Sequence, residues 1–149
     1  MYTTRKEIAK YLDYFVSPNE KEQFLKAKKI IENEYFPTKG WAKQRLTVAK
    51  KAISEFCLLK PKPELEAELM IFLVECGCRY TNDYGDMSSS FYTGIENNYI
   101  RALKFMKKHG LLERFRPNVE RCVKWSSDCG YGFADSIGFV FDEYYSESE

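Results

Sequence analysis

A chain of 149 residues, 44% apolar and 30% charged, has the length to bury one sizeable core and too much apolar content to be a disordered chain. Its longest uncharged apolar run, Leu69 to Val74, falls far short of the ~20 residues that cross a bilayer, so no membrane association is expected. The net charge is only +1, but residues 1–62 hold 14 Lys and Arg against 7 Asp and Glu, whereas residues 63–149 hold 9 against 15.

Helical periodicity runs through the chain. Ile8, Tyr11, Leu12 and Phe15 predict a first short amphipathic helix. Ser17 as N-cap, Pro18 at the first helical position and Glu20 completing a capping box open a second. That helix carries Phe24, Ala27, Ile30 and Ile31 on one side and Lys21, Lys28, Lys29 and Glu32 on the other. Phe36-Pro37-Thr38-Lys39-Gly40 breaks it. From Trp41 to Lys60, Ala42, Leu46, Ala49, Ile53 and Phe56 form a stripe with Lys43, Thr47, Lys50 and Ser54 opposite. Pro61 and Pro63 end this helix and start the next. The next is amphipathic at Leu65 and Leu69, then apolar nearly all round through Val74, the pattern of a central helix surrounded by others.

Further on, Phe91, Ile95, Tyr99, Ala102, Leu103 and Met106 make another stripe, which His109-Gly110 ends with a left-handed cap. Pro117 restarts the chain into a helix with Val119, Cys122 and Val123 inward, and Gly130-Tyr131-Gly132 breaks it. Phe133, Ile137, Val140, Phe141 and Tyr144 mark a last helix before a frayed 146–149. No stretch alternates with a period of two. The expected fold is therefore all-α: one domain of six to seven helices, as an antiparallel bundle or a short helical-hairpin stack.

The segments "YFPTKG", "AKKAISEF", "ECGCRYTNDYGDMSSSFY" and "CGYGFADSI", in that order, resemble a bacterial family of small helical proteins catalogued as domain of unknown function 6155. The likeness runs roughly from Tyr35 to Ile137, with Cys78 and Ala134 as departures. It implies an all-α intracellular bacterial protein and lends no catalytic residue.

Five cysteines at no repeated spacing (Cys57, Cys76, Cys78, Cys122, Cys129), with no apolar run after Met1, fit buried free thiols in a cytoplasmic protein. Cys76 and Cys78 fall about 200° apart on a helix at ~100° per residue, so they do not grip one ion, and no metal or cofactor is expected. Glu75, Asp83, Asp86 and Glu96 would be the acids of a carboxylate-based, metal-assisted hydrolase if they converged. Each of the first three also has a local structural role: Glu75 and Asp83 lie four residues from Arg79, and Asp86 is placed to cap the helix that follows Gly85. The single His109 removes a histidine-centred pair or triad.

Lys39, Lys43, Lys50 and Lys51 surround Trp41 on one basic helix face, a surface for an acidic partner. The lysines lack the Gly-rich loop of a phosphate cradle, and their density falls short of what nucleic acid calls for. The turn Tyr84-Gly85-Asp86 and the segment around Tyr131 form a second candidate binding groove. The expectation is a non-enzymatic intracellular binding or adaptor protein for an acidic protein partner, with the hydrolase as the alternative and weak nucleic-acid or phosphate binding as a third. Oligomeric state has no signature in the sequence.

Overall fold

A computed structural model describes residues 18–35, 42–59, 62–84, 89–129 and 133–146. Six helices make up this part: α1 (Pro18–Tyr35), α2 (Ala42–Leu59), α3 (Pro63–Tyr84), α4 (Ser89–Lys108), α5 (Arg116–Cys129) and α6 (Phe133–Ser146). Among the described residues there is no strand, so the fold is all-α. The helix predicted around Ile8 to Phe15 and the Ser17 cap lie outside the described residues.

Proline and glycine set several of the boundaries. Pro18 and Pro63 each occupy the first helical position, where the missing N–H costs nothing. The Lys62 carbonyl accepts from the amides of Leu65 and Glu66, both at 3.0 Å, which closes the first turn of α3. At the end of α4, Gly110 takes φ 69°. There the Leu111 amide donates back to Met106 O at 2.7 Å and Gly110 N to Lys107 O at 3.3 Å. This is a Schellman cap, and Met106 and Leu111, which flank it, are buried in the same core.

Helix α3 is the centre, as its sequence predicts: it contacts α1, α2, α4 and α5, while α6 packs on α4 and α5. Two apolar stripes on α3 explain how. Leu65, Leu69, Phe72 and Cys76, with Leu73, enter a core shared with Phe24, Ala27 and Ile31 of α1 and Ala49, Ile53 and Phe56 of α2. Ala67, Ile71, Val74 and Cys78 enter a second core with Tyr92, Ile95, Tyr99 and Leu103 of α4, Val119 and Cys122 of α5, and Ile137 and Tyr145 of α6. Both stripes repeat at steps of four, three and four, offset by two residues, which at ~100° per residue places them on opposite sides of one helix. Cys76 and Cys78 accordingly serve different cores.

Between the apolar stripes lie two further edges. Glu68, Glu75 and Asn82 share one, which faces α1 and α5. Glu66 and Met70 share the other, which Leu73 borders, on the side toward Lys50 of α2 and Arg101 of α4.

Candidate functional site

The first edge is an ionic seam. Lys28 of α1 donates to Glu68 Oε1 at 2.6 Å, with both side chains buried. The sequence pattern places Lys28 on the solvent side of its helix; the structure instead puts its Nζ 5.2 Å from the Phe24 ring centroid and 4.9 Å from that of Phe72. The aliphatic stem fills the core, and the ammonium is satisfied by the rings and the carboxylate. Glu68 Oε2 is buried without a hydrogen-bond partner among the described residues, which offsets part of what the pair contributes to stability.

One heptad further along, Glu75 is 1% exposed. Its Oε1 accepts from Asn118 Nδ2 at 2.7 Å and from Arg121 at 3.4 Å, which ties α3 to α5. Burial raises the Glu75 pKa to about 7, outweighing the Arg121 charge and the Asn118 hydrogen bond, both of which lower it. The Asn82 amide donates to Trp125 O at 3.3 Å, so the C-terminal ends of α3 and α5 also lie together.

The other edge opens as a cleft of about 310 Å³. Ile53, Met70 and Leu73 supply its apolar surface, and Lys50, Ser54, Glu66, Asn98 and Arg101 its polar one. Lys50 comes from α2 and Arg101 from α4. Partial burial, and after it the charge of Arg101 on the same cleft, lower the Lys50 pKa. Among the described residues neither cation has a carboxylate within 4 Å. Asn98 is buried; its amide donates to Gly94 O at 2.9 Å, and its carbonyl oxygen has no partner among the described residues. Glu66 lines the same cleft, and its carboxylate, after burial, helps push the Cys57 thiol up to about 12.

The structure separates the sequence candidates. Glu75 does not pair with Arg79 as its spacing suggests, because it points inward to α5, while Asp83 does pair with Arg79 at 3.5 Å on the surface. Glu96 is half-buried on α4, and Asp86 lies outside the described residues. Among the described residues no three of His, Cys, Asp and Glu come together as metal ligands would. Lys50 lines the cleft and Lys51 is exposed. Lys39, Trp41, Tyr131 and the side chain of Lys43 lie outside the described residues. Tyr84 is exposed and stacks on Tyr80 with centroids 4.8 Å apart.

Sequence reasoning missed Arg101 and Asn98. Their only signal is a polar position beside the α4 stripe, and nothing local says that α4 will lie across from Lys50. A second basic hollow, of about 400 Å³, is lined by Lys104, Lys107, Lys108, Glu143 and Tyr144. Its lysines sit at the C-terminal end of α4, where the helix dipole already favours them. Cys57, Cys76, Cys78 and Cys122 are free thiols. Cys78 and Cys122 both lie inside the second core, where burial raises the Cys122 thiol strongly.

A model described as a family of unknown function (DUF6155) matches residues 1–128. The match starts ahead of the Tyr35 boundary drawn from the sequence and stops before the "CGYGFADSI" segment. No curated protein and no solved structure matches. The chain belongs to the DUF6155 family.

Proposed function

We propose that this family member is a bacterial, cytoplasmic and non-enzymatic binding protein that takes a carboxylate-bearing segment of a partner protein into the α2–α3–α4 cleft. The observation that carries this reading is the facing pair Lys50 and Arg101, two cations without an ion-pair partner among the described residues, beside an apolar floor. Two like charges held together cost free energy that an incoming carboxylate relieves, and the floor adds apolar burial. Among the described residues, a cytoplasmic setting agrees with the four free thiols and with the lack of a helix long and apolar enough to cross a membrane. The hydrolase alternative draws less support, because Glu75 is enclosed and committed to Asn118 and Arg121 and Asp83 to Arg79.

The test is retention on an array of random heptapeptides, read by fluorescence of the labelled protein. Peptides bearing a side-chain or terminal carboxylate should be retained over neutral and basic ones, and more weakly as salt rises. The double variant Lys50→Glu with Arg101→Glu should lose that retention at least tenfold while keeping the parent melting temperature. Retention indifferent to peptide charge, or unchanged in the double variant, refutes the binding role.

A further inference from the structure

Besides Ser54 and Glu66, the cleft presents three kinds of surface, and their placement distinguishes among carboxylates. The cations stand on the two flanking helices, α2 and α4. The apolar side chains Met70 and Leu73 come from α3, with Ile53 of α2 beside Lys50. Asn98 lies one turn of α4 before Arg101; its amide is held by Gly94 O, and its carbonyl oxygen accepts from none of the described residues.

A ligand that meets all three needs a carboxylate, an N–H donor and an apolar group radiating from nearly one point. The last residue of a polypeptide has that layout: its α-carboxylate, amide N–H and side chain all leave one Cα. An internal Asp or Glu differs, since its carboxylate sits at the tip of a side chain and an apolar neighbour in sequence points the other way in an extended segment.

We infer that the α2–α3–α4 cleft captures the free C-terminus of a partner polypeptide ending in an apolar residue. The carboxylate lies between Lys50 and Arg101, the last amide N–H donates to Asn98 Oδ1, and the side chain rests on Ile53, Met70 and Leu73. Arg101 provides the planar fork that matches a carboxylate, and Lys50 a point charge beside it. The cleft lies at the small end of ligand sites, large enough for one terminal residue and not for a folded element. C-terminal carboxylate capture is an established mode of peptide recognition. This inference rests on the binding role proposed above and narrows it.

The experiment prints the same random heptapeptides twice, once with a free carboxyl terminus and once amidated, and probes both with the full-length protein. Free termini ending in Leu, Ile, Val, Met or Phe should be retained at least tenfold over their amides. Asn98→Asp should weaken that retention, because its second oxygen adds a negative charge beside the incoming carboxylate. Arg101→Lys should retain part of it and Arg101→Glu none, with the melting temperature of each variant reporting an intact fold. Equal retention of free and amidated acidic peptides overturns C-terminal capture and leaves the broader binding role standing. No charge-dependent retention of either form overturns both.

Discussion

Glu75 is the residue whose ionisation has most to say about stability. A carboxyl with an ordinary pKa near 4.5 is raised to about 7 by burial in the folded chain. The unfolded chain therefore gives up this proton at lower pH than the folded one. The contribution of Glu75 is fully present below about pH 4.5, declines as pH rises, and is gone above about 7. At about 1.4 kcal/mol per unit of pKa, the full swing is on the order of 3 kcal/mol. Glu75→Gln keeps an acceptor for Asn118 and Arg121 but does not titrate. Urea unfolding from pH 5 to 8 should show a declining stability in the parent and a flatter profile in Glu75→Gln, with the variant gaining on the parent as pH rises. Parallel profiles would mean that Glu75 is ionised throughout and that its burial is offset by Arg121. The spacing to Arg79 made Glu75 look like a surface ion pair. A helix-face distance is equally compatible with inward and outward directions when the helix is buried nearly all round, and only the position of α5 chooses between them.

At the scale of elements, two helical glycines separate backbone propensity from packing. A Cβ at Gly77 would meet Ile95 Cγ1 at 3.0 Å and the Tyr35 ring at 3.1 Å, from two different helices. A Cβ at Gly138 meets nothing within 4 Å among the described residues. Alanine gains ~1 kcal/mol over glycine in a helix interior, while forcing extra volume into a packed site costs ~1–3 kcal/mol. Gly138→Ala should therefore raise the denaturation midpoint, and Gly77→Ala should lower it, because both Ile95 and Tyr35 must give way. A rise for Gly77→Ala would show that α1 and α4 yield freely against α3. The elements themselves were legible: Pro18, Pro63 and Gly110 stand at boundaries, and the stripe from Ile95 to Met106 is buried throughout. The apolar run of α3 was read as central, but its division into two stripes feeding separate cores is visible only once α1 and α2 are seen on one side and α4 on the other.

At the scale of the whole molecule, the described chain is two cores joined by α3, and the second core closes only with α6. Ile137 and Tyr145 are buried there, and the Tyr145 hydroxyl donates to Leu112 O at 2.8 Å. The family match ends at residue 128, before α6 begins. Losing one large buried side chain costs ~2–5 kcal/mol, against a total stability of ~5–15 kcal/mol for a typical domain. Deleting residues 130–149 should accordingly abolish a cooperative thermal transition and expose apolar surface to a hydrophobic dye. A sharp transition near the parent midpoint would show that α1 to α5 close the core without α6.

The sequence by itself determined the six described helices, most of their inward faces and the central place of α3, because periodicity and the chemistry of proline and glycine act over a few residues. The same local rules separated Cys76 from Cys78. Tertiary structure decided what the charged groups do. Lys28, read as solvated, is buried against Glu68; Glu75 turns to Arg121; and Lys50 finds Arg101 across a cleft. The reason is physical. Apolar burial follows a repeat that one helix carries alone, whereas the role of a charge depends on what faces it, and that partner sits on a helix whose placement no local pattern encodes.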